Sequence, residues 1–381
     1  MTKTAGPLLL ARSQRLLREL GLPPFRERFP WHGGDLQTLR DTLRPPPLPP
    51  ERGLPLQLPV GPLPARGPAG PGAPEDRLLA FLDHPADGQE PRALVLLLHG
   101  LGGSSDREGL RRMGLALQAG GLAVLRLNLR GAGAGRTLAP GTYAARCSSD
   151  LLPVIEQARV LAVELGRATA SGRPLPLLGA GISLGGTMLL NACLDGAGLD
   201  GAGGDGAVLD GLVCVSSPVD LAACSLCIER PRNRVYQNWL LQRLCRQTLE
   251  DPFGVTQPER QALAGDQPPR TIRAFDAAIT APRWGFPSVD HYYEAASPLP
   301  RLLEGASLPP TLLVHALDDP WVPVEATQCL AELHRPELPV VLTARGGHNG
   351  FHAWGDPRRA PAMACWADQL TLRWLLSLLS S

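Results

Sequence analysis

No run of 18 uncharged apolar residues occurs anywhere in the 381-residue sequence, so no membrane-spanning helix is expected. The apolar stretch after Lys3, residues 7–11, is too short for the core of a secretion signal, and a cytoplasmic protein is expected. An excess of charge is missing too: 37 basic residues face 36 acidic ones, for a net charge of +1. That balance carries no nucleic-acid footprint and no attraction to anionic lipid, and it points to a neutral or mixed small molecule as partner. Cys147, Cys193, Cys214, Cys224, Cys227, Cys245, Cys329 and Cys365 lack the spacing of a disulfide framework and read as reduced thiols. Cys224 and Cys227 form a CxxC, but the second pair that a tetrahedral zinc site needs is missing, as is a thioredoxin-like setting. Neither a metal nor an organic cofactor is expected.

Glycine (42 residues) and proline (40) are abundant, and they cluster. Residues 44–50 and 62–74 read as proline-rich connectors, and residues 195–206 as a glycine-rich surface loop. Short apolar runs lie between the clusters, at 94–98, 122–127, 175–179, 212–216, 311–316 and 339–343, each bounded by glycine, proline or charge. Such runs are expected to be parallel strands buried on both faces. Helical patterns at 109–119, 151–165, 186–194 and 326–333 separate them. The alternation predicts a mostly parallel, open α/β sheet flanked by helices, with its ligand site beyond the strands' carboxyl ends.

At 44% hydrophobic residues the chain can bury a large core, and its length leaves room for an inserted subdomain. Residues 218–302 interrupt the alternation. They are rich in Arg, Gln and Trp, read as helical over 233–263, and fit a mainly helical cap inserted over the sheet's carboxyl edge. The expected division is therefore an N-terminal extension with the proline-rich segment leading into the sheet (1–75), a first part of the core (76–217), the cap (218–302) and a second part of the core (303–381). The helical pattern at 8–20, with Arg12, Arg15 and Arg18 among leucines, is read first as packing on its own domain and second as peripheral membrane contact.

Directly after the run 175–180 stands Gly181-Ile182-Ser183-Leu184-Gly185, the pattern of a serine nucleophile on a sharp strand-to-helix turn. Glycines flank the serine because a Cβ two residues away on either side would collide with backbone. A serine hydroxyl needs a base within hydrogen-bond reach and an acid to orient that base. In this architecture they follow in the order serine, carboxylate, histidine. His348, within Gly346-Gly347-His348-Asn349-Gly350 after the run 339–343, is the expected base, whereas His334 falls on a helix ending before Pro336. The expected acid is Asp319 in Asp318-Asp319-Pro320-Trp321, with Asp318 as the near alternative and Asp220 as the remote one. The oxyanion donors are expected to be the backbone N–H of Leu184 and that of Leu101, in His99-Gly100-Leu101-Gly102-Gly103 after the run 94–98. His99 would then support the turn, and the Lys and Ser/Thr of a phosphate-binding loop are missing there.

With these motifs the chain resembles the YheT-like branch of the α/β hydrolases, also called the AB hydrolase 4 family, from about Pro30 to the C-terminus. Narrower matches are Gly34-Asp35-Leu36-Gln37-Thr38, Asn128-Leu129-Arg130-Gly131 and Ser216-Ser217-Pro218-Val219-Asp220-Leu221. In the cap the matches are Arg273-Ala274-Phe275-Asp276 with Thr280-Ala281-Pro282, Gly285-Phe286, Tyr292-Tyr293 and Ala296-Ser297. The resemblance implies a serine carboxylic-ester hydrolase of carboxylesterase or acylglycerol-lipase type, acting on short- to medium-chain acyl esters through an acyl-enzyme. Its triad would fall on Ser183, Asp319 and His348. An alcohol O-acyltransferase using the same triad and a catalytically silent binding module are the alternatives. The chain departs from the family at Cys147-Ser148-Ser149-Asp150, where relatives are more acidic, and in the proline-rich insert 62–74. Trp239, Trp284, Phe286 and Trp321 are candidates to line an apolar acyl pocket, although large aromatics in a cap more often serve packing than ligand contact.

Overall fold

A computed structural model of the chain describes residues 6–66, 75–197, 208–356 and 365–380. Most of the glycine-rich loop 195–206 and of the proline-rich insert 62–74 lies outside these residues. One sheet of eight strands runs through the fold: β1 (Leu54–Pro59), β2 (Arg77–Asp83), β3 (Leu94–Leu98), β4 (Ala123–Leu127), β5 (Leu177–Ile182), β6 (Gly211–Val215), β7 (Thr311–Ala316) and β8 (Val340–Thr343). Their order is β1-β2-β4-β3-β5-β6-β7-β8. The β1–β2 and β2–β4 pairings at one edge are antiparallel, and the remaining five are parallel.

All six expected strands are present, and β5 begins two residues later than its apolar run. Pro176 has no N–H to donate, so the ladder starts at Leu177. Two further strands are missing from the sequence reading: β2 lies within residues 76–217, assigned to the core, and β1 lies within residues 1–75, expected only to lead into the sheet. β1 carries Pro55 and Pro59, residues that argue against a central strand but are tolerated at a sheet edge, which is where β1 lies.

The helices are α1 (Pro7–Glu19), α2 (Gly34–Leu43), α3 (Glu108–Ala119), α4 (Ser148–Arg167), α5 (Leu184–Gly196), α6 (Leu221–Ile228), α7 (Arg234–Leu249), α8 (Gln257–Ala264), α9 (Ile272–Phe275), α10 (Ala281–Arg283), α11 (Val289–Ala296), α12 (Leu299–Leu303), α13 (Glu325–Glu332) and α14 (Trp366–Leu378). Because strand side chains alternate between faces, β3 feeds two cores. Leu94, Leu96 and Leu98 pack with Val154 of α4 and Leu189 of α5, while Val95 and Leu97 pack with Met113 of α3 and Leu370 of α14. α1 lies along β8, where Leu9 meets Leu342 and the Ser13 hydroxyl accepts the Leu342 N–H at 2.9 Å. No helix among the described residues is long and apolar enough to cross a membrane.

Helices α6 to α12 are inserted in the chain between β6 and β7. They own a small core of Ile228, Leu240, Leu244, Ile272, Phe275 and Ile279, against which Leu101 and Trp321 pack from the sheet side.

At the antiparallel edge Arg130, fully buried, binds Asp150 at the start of α4 through two parallel bonds of 2.9 and 2.7 Å. Its other contacts are Asp76 at 2.5 Å and the carbonyls of Gly61 at 2.6 Å and Pro140 at 3.3 Å. One guanidinium thus ties the turn after β4 to α4 and to the β1–β2 connection, which assigns a role to Asp150 within the divergent stretch 147–150. Removing one partner of a buried pair leaves the other charge uncompensated, at a cost of about 3–5 kcal/mol. Arg130→Met is expected to lower unfolding stability by about that amount in urea titrations, and the double change Arg130→Met with Asp150→Leu to recover part of it.

Candidate active site

β5 ends at Ile182 and α5 begins at Leu184, so the chain must reverse within one residue. Ser183 does so with φ +54° and ψ −128°, a left-handed conformation that strains a side-chain-bearing residue by about 1–3 kcal/mol. The residues two before and two after it can only be glycine. A Cβ on Gly181 would stand 2.3 Å from the Gly186 nitrogen, and one on Gly185 would stand 2.6 Å from the carbonyl oxygens of Leu98 and His99. Across the turn, a Cβ on Gly100 would stand 2.9 Å from the Ser183 Cβ. The strained turn is clasped by the loop after β3.

The serine hydroxyl lies 2.9 Å from His348 Nε2, and His348 Nδ1 lies 2.8 Å from Asp319 Oδ2. With Nδ1–H donated to the carboxylate, Nε2 keeps its lone pair facing the serine. Asp319 Oδ1 accepts the N–H groups of Trp321 and Val322 at 2.8 and 3.0 Å. Burial alone would raise its carboxyl, but the adjoining His348 and His315 imidazoles outweigh it and hold the group below the ordinary carboxylate range. Trp321 covers the His348 ring at a centroid distance of 4.5 Å.

The histidine loop turns through left-handed residues at Gly347 (φ +60°) and Asn349 (φ +57°). Three contacts pin it from outside: the His348 N–H donates to Thr38 Oγ1 of α2 at 2.8 Å, the Gly347 N–H to Asp318 Oδ1 at 2.9 Å, and the Asn349 N–H to Ser216 Oγ at 3.2 Å. The adjacent acids therefore divide the work, Asp319 binding the ring and Asp318 the loop backbone. Asp220 caps α6 by accepting the Ala223 N–H, and His334 lies exposed after α13 beside Arg12. Neither approaches Ser183.

Leu184 and Leu101 follow the serine and the β3 loop as expected, and neither N–H finds an acceptor among the described residues. The β3 loop is held rigid by side chains. His99 Nδ1 donates to the Gly100 carbonyl at 2.9 Å and Nε2 accepts the Leu129 N–H at 3.3 Å, while burial lowers the imidazole to about 4 and keeps it neutral. Tyr143 Oη accepts the Gly102 N–H at 2.6 Å, and Arg243 of the cap donates to the Gly102 carbonyl at 2.9 Å. Sequence reasoning missed Thr38, Tyr143, Arg243 and His315. Thr38 did fall in a singled-out motif, but its partner is 310 residues away.

A cavity of about 320 Å³ opens over Ser183 between sheet and cap, within the range of small-molecule sites. Trp239 and Trp321 line it, as expected. Trp284 and Phe286 do not, correcting the sequence reading: the Trp284 indole is buried against the Thr142 carbonyl at 2.8 Å, and Phe286 packs on Tyr292. Among the described residues no three His, Cys, Asp or Glu side chains converge to hold a metal ion.

Since the Gly100 Cα faces the serine, Gly100→Ala is expected to displace the hydroxyl and slow fluorophosphonate labelling of Ser183 by about 10²-fold, the penalty of a roughly 1 Å misplacement. Thr38→Val should slow labelling in the same assay, and Thr38→Ser should restore it, because only the hydroxyl oxygen holds the His348 backbone.

Residues 95–360 match the sequence pattern described as the alpha/beta hydrolase family. The Escherichia coli (strain K12) protein named "Putative esterase YheT" is 32% identical over 303 residues, which cover 80% of this chain and 82% of that one. Human "Phospholipase ABHD3" is 29% identical over 272 residues, 71% of this chain but only 62% of that relative's own length. Among solved structures, Est1E from Butyrivibrio proteoclasticus covers 87% of this chain and 100% of its own, at 14% identity and a TM-score of 0.45. The chain belongs to the alpha/beta hydrolase family and, within it, to the YheT-like branch.

Proposed function

We propose that the protein is a serine carboxylic-ester hydrolase acting on short- to medium-chain acyl esters, lipid esters among them. The observation that carries the reading is the unbroken hydrogen-bonded series from Ser183 through His348 to Asp319, standing at the wall of a cavity beside two uncommitted backbone N–H groups. In this mechanism His348 Nε2 takes the hydroxyl proton as Ser183 Oγ attacks the ester carbonyl. Asp319 keeps the imidazole in its productive tautomer and balances the imidazolium that forms. The N–H groups of Leu184 and Leu101 receive the oxyanion, the former at the positive end of α5. The imidazolium then protonates the departing alcohol, and water, deprotonated by the same imidazole, releases the acid from Ser183.

The names of the relatives, one an esterase and one a phospholipase, favour ester chemistry over a silent binding role. Residues 218–302 act as the cap in this reading, and 76–217 with 303–381 as the core. The eight free cysteines suit a reducing compartment such as the cytoplasm.

Ser183→Ala is expected to cut hydrolysis of p-nitrophenyl esters by about 10⁴-fold or more without lowering thermal stability, since the three residues work as a unit. Wild-type rates in that variant would overturn the proposal. Product analysis with glycerol or ethanol present distinguishes release of free acid, the expected result, from transfer of the acyl group to the alcohol.

A further inference from the structure

The cap motif Arg273-Ala274-Phe275-Asp276 with Thr280 plays no part in the mechanism above, yet it surrounds one end of the same cavity. After α9 the chain widens into a π-helix, Asp276–Thr280, a rare turn often found at functional sites. It brings the Asp276 carboxyl to the cavity wall. Thr280 Oγ1 donates to Asp276 Oδ1 at 2.7 Å and Tyr293 Oη to Oδ2 at 2.9 Å, which leaves each oxygen free to accept again. Cationic partners are missing: among the described residues no Arg, Lys or His bonds this carboxyl. Arg273 pairs with Asp290 at 2.5 Å and lies over the Tyr293 ring instead. Burial pushes the Asp276 carboxyl up to about 6, against the pull of the Thr280 and Tyr293 bonds. The wholly buried Thr248 lines the cavity with a hydroxyl that has no partner, and Ser225, only 5% exposed, lines it with a hydroxyl that interacts with Tyr293. The walls between are apolar, with Ile228, Leu244, Ile272 and Phe275.

We infer that this end of the cavity is a polar subsite, built from Asp276, Thr280, Tyr293 and Ser225, for a hydrogen-bond-donating group at the far end of the substrate's acyl part; it rests on the ester-hydrolase reading. The donor is a hydroxyl or a protonated amine. A plain alkyl terminus seated there would desolvate the carboxyl and the Ser225 hydroxyl and return no hydrogen bond. The acyl half is the one assigned because Thr280, Tyr293 and Ser225 are all nearly inaccessible, whereas Thr42 marks an open mouth of the cavity. The alcohol leaves first, and the enclosed end suits the half that remains on Ser183. A purely structural Asp276 would account for its two internal bonds but not for the unpartnered Thr248 hydroxyl that lines the same cavity.

The test compares ethyl esters of alkanoic, ω-hydroxyalkanoic and ω-aminoalkanoic acids of matched length, over a series of lengths, by kcat/KM. At the best length at least one polar-ended ester is expected to exceed its alkyl counterpart by about tenfold, one hydrogen bond to a buried partner. Asp276→Leu should reverse that ratio and Ser225→Ala should shrink it. A structural role alone would move all three esters together. Alkyl esters equal or superior at every length would overturn the inference. In parallel, calorimetry on Ser183→Ala protein with alkanols, α,ω-diols and ω-amino alcohols reads the subsite without turnover. Preferential binding of the difunctional ligands supports it even if no ester is cleaved, which would sink only the hydrolase reading. Turnover of esters with no such preference would sink only the subsite.

Discussion

The strand-to-helix reversal at Ser183 is the constraint on which the rest of the site depends. One residue between β5 and α5 must take a left-handed backbone while keeping a side chain, and that is sustainable only when the surroundings over-determine it. They do so by contact. Gly181 and Gly185 let backbone close on backbone, and Gly100 brings the β3 loop against the serine itself. The β3 loop and the turn that carries Ser183 are therefore packed as one unit, and neither can shift without the other.

Around that unit the site is assembled from segments remote in sequence, each fixed by a few directional bonds. The histidine loop is strained at several residues and hangs from Thr38 and Asp318. The β3 loop hangs from His99 and Tyr143. The cap rests on both neighbours of the serine, through Leu101 on one side and Trp321 on the other, while Arg243 reaches down to the Gly102 carbonyl. Substrate-side packing and oxyanion geometry are thus mechanically linked, and movement of α7 would be felt at Gly102.

Two buried carboxyl groups show how environment divides roles among like residues. Asp319 is held ionised by two imidazoles and two backbone N–H groups. Asp276 has only neutral donors, and burial moves it in the opposite direction. Environments that push the ionisation of like groups apart mark functional assignment. Here one acid bonds the His348 ring, and the other lines the cavity over Ser183.

Legible in the chain alone were the features that depend on local steric necessity. Apolar runs bounded by breakers located six strands, because a strand buried on both faces tolerates nothing else. The glycines around Ser183 located the turn, because only glycine fits there, and the order of serine, acid and histidine along the chain narrowed the other two candidates. Tertiary structure alone decided what depends on who meets whom. β1 was hidden by prolines that are acceptable only once the strand is known to be an edge. The choice between Asp318 and Asp319 rests on which carboxyl turns toward the ring and which toward the loop backbone. The separation of Trp239 and Trp321 from Trp284 and Phe286 rests on which faces of the cap look inward. Thr38 stood in a recognisable motif that did not reveal its role, and Tyr143 left no readable signal at all, since a hydrogen bond between distant segments imposes no pattern on either one, and only the folded chain brings donor and acceptor within reach.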